Sequence, residues 1–184
     1  MNTHYHIFET ERGYCAIAWS DTGVVNFRLP EKSAEATLKS LLLRLPDATP
    51  AAPPPPPATA AAVAAAQHYF SGEKTDFSAV PLDLSKQGDF FQKIYATLRC
   101  VGWGETTTYG ALAKQFGDDW EIARDVGQAM AKNPIPLIIP CHRVLAAGGK
   151  VGGFSAPGGA ATKAMMLTLE GVSVGAPAQK SLGF

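Results

Sequence analysis

The sequence predicts an α+β chain in two parts, and three observations carry that prediction. Short runs rich in β-branched and aromatic residues, separated by turn residues, fill the first thirty positions. A proline-rich stretch at 46–57 interrupts the pattern. Beyond residue 88 the apolar residues recur at helical spacing instead of alternating. The expected organisation is a small N-terminal β-meander and helix domain over 1–84, which includes the linker 46–57. A mostly helical, winged-helix-like domain over 88–171 and a loosely held tail over 172–184 complete it.

Taken in order, Tyr5 to Glu9, Tyr14 to Trp19 and Val24 to Leu29 are the strands of the meander. Glu11-Arg12-Gly13 and Asp21-Thr22-Gly23 are its turns. Glu31 to Leu45 switches to helical spacing, with Leu38, Leu41, Leu42 and Leu45 on one face and Ser33 as the capping residue. Pro53 to Pro57 favours a stiff polyproline II spacer. The Ala-rich run Ala58 to Phe70 is a strong helix former, stopped by Ser71-Gly72. Asp76 to Leu84, with Pro81 inside it, reads as an edge strand or a loop.

In the second half, Phe90 to Val101 places Phe91, Ile94, Tyr95 and Leu98 on one helical face and makes Cys100 a buried thiol. Thr108 caps a short helix to Phe116, and Asp119 caps a second from Trp120 to Lys132. Two short helices joined by a tight turn form a helix-turn-helix pattern, which close packing inside a core produces equally well. A last helix runs from about Ala160 to Leu169.

Composition narrows the function. Lysine plus arginine balance aspartate plus glutamate at 16 each, so the net charge is zero. That counts against a generic nucleic-acid binder but leaves room for a local basic face, or for phosphate held at helix N-termini. Three cysteines, Cys15, Cys100 and Cys141, without a C-x-x-C pair argue against a disulfide framework and suit a reducing compartment. His4, His6 and Cys15 match no standard zinc spacing and read as surface histidines beside a lone thiol. No basic leader with an apolar run and no bilayer-length apolar stretch is visible. The expectation is a cytoplasmic monomer with no metal, organic cofactor or membrane partner.

The chemistry centres on Pro140-Cys141-His142-Arg143-Val144, delivered by the apolar run Ile135 to Ile139 and followed by a Gly-rich segment. A free thiol has a pKa of about 8.5 and needs a base or a positive dipole to become nucleophilic. His142 is the adjacent base. In an extended chain neighbouring side chains diverge, which favours a bridging water over direct contact. The pair alone reads equally as a core cysteine beside a surface histidine.

The motifs around it resemble the methylated-DNA–protein-cysteine methyltransferases. They are Tyr109-Gly110-Ala111-Leu112-Ala113, Ala123-Arg124-Asp125-Val126-Gly127, Asn133-Pro134-Ile135-Pro136, Pro140 to Val144 and Glu170-Gly171, in the family's order over about 88–171. The resemblance implies single-turnover transfer of an alkyl group from 6-O-alkylguanine in double-stranded DNA, with 4-O-alkylthymine as a second substrate, onto Cys141. It implies that His142 takes the thiol proton through water and that Glu170 holds the imidazole. Without the resemblance, Glu170 reads as a solvated residue at a helix end, where its charge opposes the helix dipole.

Tyr109 corresponds to a phenol that protonates the leaving base. Arg124, on a helix carrying the small residues Ala123, Gly127 and Ala131, corresponds to an arginine that enters the minor groove and replaces the flipped nucleotide. Its alternative is a salt bridge to Asp125 or Glu121. Thr107 joins the DNA-binding set. Asn133 braces the turn before the active site, Val144 offers its carbonyl to the base, and Phe154 and Ser155 line the substrate pocket. The family has Tyr-Ser-Gly-Gly in the pocket loop, whereas this chain has Phe154-Ser155-Ala156-Pro157-Gly158-Gly159. The added Ala156-Pro157 is expected to lengthen the pocket wall. A damage-binding protein without transfer and a thiol hydrolase on Cys141 and His142 are the rival readings. Cys141 itself argues against the first, and turnover of a small ester without DNA would mark the second.

Overall fold

The computed structural model describes residues 2–52 and 54–173. Strands β1 (His4–Thr10), β2 (Gly13–Trp19) and β3 (Val24–Glu31) form an antiparallel meander. Gly13, at φ 121°, closes the first turn where an added Cβ would strike the Glu31 carbonyl. The central strand is buried on both faces. Ala16 and Ala18 pack with Leu41 of helix α1 (Ala34–Leu42). The alternate residues Cys15, Ile17 and Trp19 face the main core. Ser33 caps α1 by accepting from the Ala36 amide.

The first part of the proline-rich stretch joins the sheet, and Pro53 of the expected spacer lies outside the described residues. Thr49–Pro50 forms β4, which adds in parallel to β1 and completes the sheet order β3-β2-β1-β4. Proline is tolerated there because the strand is at the edge. Helix α2 (Pro57–Phe70) follows, with proline at its first position, where no amide hydrogen is needed. The segment from Asp76 to Leu84 runs beside the sheet, and the Val24 amide donates to the Pro81 carbonyl at 2.9 Å.

Helix α3 (Asp89–Leu98) is shorter than its apolar spacing suggested, and Cys100 lies in the turn beyond it, exposed instead of buried. Strand β5 (Thr107–Thr108) leads into α4 (Tyr109–Lys114), which Thr108 caps through the Ala111 amide. Helix α5 (Trp120–Lys132) begins at Asp119, whose side chain makes no capping hydrogen bond. After the active-site loop come β6 (Val144–Leu145), which pairs in parallel with β5, and α6 (Gly159–Leu169). A continuous core runs from Phe8, Ile17 and Phe27 of the sheet through Tyr69 and Phe70 of α2 to Ile94, Val126, Ile139 and Met166. The Phe27 amide donates to the Pro134 carbonyl at 3.1 Å, so the sheet also touches the loop that delivers the cysteine. No helix among the described residues is long and apolar enough to cross a membrane.

Candidate active site

The loop after α5 is tied at both ends by Asn133. Its Oδ1 accepts from the Ile135 amide at 3.0 Å, and its Nδ2 donates to the Ile139 carbonyl at 2.9 Å. Between them Leu137 sits at φ 77°, a conformation that costs a non-glycine residue about 1–3 kcal/mol and persists only where its surroundings impose it. Burial of Leu137 and the Asn133 clamp supply that constraint.

The chain then tightens into a 3-10 turn over Cys141–Arg143, so it is not extended there. The two functional side chains still separate. Cys141 faces a cavity, while His142 is wholly buried against Glu170. Pairing of Thr107 with Val144 and of Thr108 with Leu145 brings the start of α4, and with it Tyr109, up to this loop.

Glu170 closes α6 and is buried at 4% exposure, which would be costly for a lone carboxylate. It is not alone. Its Oε1 accepts from His142 Nε2 at 2.6 Å, Tyr69 Oη at 2.8 Å and Arg143 Nη2 at 2.9 Å. Its Oε2 accepts from Arg143 Nε at 2.8 Å and the Gly104 amide at 3.3 Å. Burial opposes ionisation of Glu170, but the hydrogen bonds from His142 and Arg143 and the Arg143 charge outweigh it and hold the carboxyl down at about 2.

An ionised carboxylate only accepts, so the proton between the two groups sits on His142 Nε2. Burial, aided by the Arg143 and Lys163 charges, holds the imidazole below its ordinary pKa against the pull of Glu170. The ring is therefore neutral at rest, with its lone pair on Nδ1. That nitrogen is buried and has no hydrogen-bond partner among the described residues. It is free to accept a proton.

Cys141 lies in a cavity of about 360 Å³, walled by Tyr109, Gly127, Met130, Ala131, Phe154 and Ser155. Burial pushes its thiol up, against the opposing pull of the Asn133 side chain and the Lys163 charge. Lys163 is fully buried on α6 and donates to the Val144 carbonyl at 2.5 Å. Its ammonium stands 5.7 Å from the Tyr109 ring centre and 6.0 Å from that of Phe154. Burial lowers it to about 8. The Tyr109 phenol is raised by burial and then by Cys141, which keeps it protonated.

The remaining expected residues fall in three places. Phe154 and Ser155 line the cavity, and Ser155 Oγ donates to the Ala131 carbonyl at 2.9 Å, joining the loop to the end of α5. Asn133 and Val144 do not line the cavity, and the Val144 carbonyl already accepts from Lys163. Thr107 lies in β5 opposite Val144 and does not line the cavity. The extra residues do not extend the cavity wall. Ala156 packs on the core, and the Pro157 carbonyl accepts from Thr162 Oγ1 at 2.7 Å within the turn that starts α6.

On α5, Val126, Ala129 and Met130 face inward, while Ala123, Arg124 and Ala131 are exposed. Arg124 pairs with Asp125 at 3.3 Å and lies 5.0 Å from the ring centre of Trp120, which is 69% exposed. Gly127 shares the edge of the cavity, and a Cβ built there would meet nothing within 4 Å. Its lack of a side chain is thus not required by packing.

Sequence reasoning missed Tyr69 and Lys163 as members of the site. The Arg143 guanidinium, beside the expected pair, grips both oxygens of Glu170.

The class these features define is a protein that works through one buried cysteine, with an imidazole–carboxylate pair behind it and an exposed helix at its mouth. Residues 89–172 match the family described as 6-O-methylguanine DNA methyltransferase, DNA binding domain. The methylated-DNA–protein-cysteine methyltransferase of Methanosarcina acetivorans is 34% identical over 171 residues, 91% of this chain and 98% of that protein. Its namesake in Metallosphaera sedula is 42% identical over 113 residues, 61% of this chain and 68% of that protein. The crystal structure of Mycobacterium tuberculosis OGT in complex with DNA is similar at a TM-score of 0.70 and 35% identity, over 91% of this chain and 92% of that one. The chain belongs to the methylated-DNA–protein-cysteine methyltransferase family.

Proposed function

We propose that this protein repairs DNA by direct reversal, moving the alkyl group of a 6-O-alkylguanine onto Cys141 in a single turnover. The observation that carries the reading is the orientation of the relay: Glu170 fixes the proton on His142 Nε2 and leaves Nδ1 free as the base. In this reading the damaged base is flipped from double-stranded DNA into the cavity, with α4 and α5 acting as a helix-turn-helix in the minor groove. A water passes the Cys141 proton to His142 Nδ1. The thiolate attacks the alkyl carbon in line, a carbon–sulfur bond forms, and the bond from that carbon to the guanine oxygen breaks. Tyr109 protonates a ring nitrogen of the departing guanine. The imidazolium left behind is stabilised by Glu170.

The same reading assigns the remaining roles. Arg124 fills the place of the flipped nucleotide, with Ala123, Gly127, Ala131 and Thr107 on the DNA side. Asn133, Val144, Phe154 and Ser155 shape the pocket. Residues 88–171 form the alkyl-acceptor domain and 1–84 an accessory domain, and the protein acts as a cytoplasmic monomer without metal or cofactor. The carbon–sulfur bond of the product resists hydrolysis, so mixing with excess alkylated duplex should release one burst of at most one group per protein molecule. Cys141→Ser should bind the duplex and transfer nothing. Continued release after the burst would refute single turnover.

Gly127 offers an independent check on the α5 face. Because a Cβ meets nothing there, Gly127→Ala should raise stability by about 0.5–1 kcal/mol, the usual helix preference for alanine. The added methyl should nevertheless weaken duplex binding, measured by titration of labelled DNA. Equal or tighter binding would place the DNA elsewhere.

A further inference from the structure

Tyr69 stands outside the stretch 89–172 that matches the family's DNA-binding domain, on a helix that precedes it. It is nevertheless fully buried inside the relay. Its hydroxyl is 2.8 Å from Glu170 Oε1 and 3.3 Å from His142 Nε2, and its ring lies edge-on to His142 and to Trp103. A phenol has one proton, and the shorter contact to an ionised acceptor claims it. Glu170 Oε1 is therefore shared among Tyr69, His142 and Arg143.

We propose that Tyr69 is a positioning residue for alkyl transfer: its hydroxyl holds Glu170 Oε1 on His142 Nε2, which keeps His142 Nδ1 as the free base. This rests on the reading given under Proposed function. It also gives the N-terminal part of the chain a direct share in the chemistry, because α2 packs on β1 and β2 and carries Tyr69 into the relay.

The titratable and charged groups around His142 are Tyr69 from α2, Glu170 and Lys163 from α6, and Arg143 from its own turn. Of these, Tyr69 draws charge from the same carboxylate oxygen that supports the imidazolium. Removing its hydroxyl leaves more of that charge to His142 and makes the ring more basic. It also removes one of the contacts that keep Oε1 in place on Nε2, so the tautomer with Nδ1 free is less firmly held. The rate of transfer then falls, and the pH below which transfer fails moves upward.

The test compares the full wild-type chain with Tyr69→Phe, which keeps the ring and removes only the hydroxyl. Single-turnover transfer from methylated duplex DNA is followed across pH, alongside DNA binding. The expected result is unchanged duplex affinity, a maximal transfer rate lower by about tenfold, and an acid limb displaced upward. Tenfold is the lower end of what hydrogen-bonded partners carry behind a functional histidine, by analogy with metal-bound ones. An unmoved acid limb, or a loss of rate matched by an equal loss of folded protein, overturns the proposal.

Should Tyr69→Phe fail to fold, nitrogen NMR of the wild-type His142 ring decides. A proton resident on Nε2, with its signal coupled to the Tyr69 hydroxyl, supports the proposal, and one resident on Nδ1 overturns it. Wild-type protein that transfers nothing would defeat the underlying reading instead, so the two failures are separable.

Discussion

Glu170→Ala is expected to abolish alkyl transfer and to remove about 3–5 kcal/mol of stability, the usual cost of breaking a buried ion pair from one side. The reason is local. Arg143 is buried, and Glu170 is the carboxylate paired with it. Without Glu170 the guanidinium, the imidazole and the Tyr69 hydroxyl all lose their shared acceptor. Denaturant titration measures the loss, and a change below about 1 kcal/mol would contradict the account.

The same network sets the response to acid. The folded-state pKa of Glu170 is depressed from 4.5 to about 2. Its stabilisation is present above the unfolded value and is lost as the pH falls through that window. A shift of this size corresponds to about 3 kcal/mol. His142, also depressed, acts in the same direction from its unfolded value of 6.5 downward. Below pH 4.5, where Glu170 takes up its proton in the unfolded chain, wild-type protein should therefore lose stability on acidification more steeply than Glu170→Ala does.

Arg124→Ala should slow repair of alkylated duplex DNA by far more than it slows reaction with free 6-O-benzylguanine. The free base needs no flipping, so only the duplex reaction uses a side chain that fills the vacated stack. In this structure Arg124 is half-exposed and engaged only at the surface, with Asp125 and the Trp120 ring. Such a pair is worth about 0–1 kcal/mol, which leaves the side chain free to exchange partners when DNA arrives. Stability should barely change. Equal loss of rate on both substrates would remove Arg124 from base flipping.

Much of this site was legible before any coordinates. Helix α5 could be bounded at Trp120 and Lys132 because Asp119 and Asn133-Pro134 punctuate it. The capping roles of Ser33 and Thr108 follow from residue type and position alone. Cys141 and His142 could be picked out from their own chemistry and Glu170 only from the resemblance, but the buried partners of Glu170 could not.

Tyr69 sits in an Ala-rich helix where its spacing reads only as core, and the carboxylate it meets is 101 residues away. Lys163 reads as a solvated lysine, and its burial follows from a carbonyl 19 residues earlier. Strands β5 and β6 are two residues each, too short for a periodic signal, yet their pairing sets Tyr109 beside the loop. Cys100 was misplaced because α3 stops at Leu98, and the turn that follows carries the thiol outward. The proline run hid a strand because edge pairing by Thr49–Pro50 depends on the meander beside it. The expected tail lies outside the described residues apart from 172 and 173.

The most direct test of the central claim is the intact mass of the protein after incubation with duplex DNA carrying 6-O-methylguanine, followed by peptide mapping. The account predicts a gain of one methylene per molecule, located on the peptide that contains Cys141 and absent from Cys141→Ser. An unchanged mass, or a gain located on Cys15 or Cys100, would contradict it.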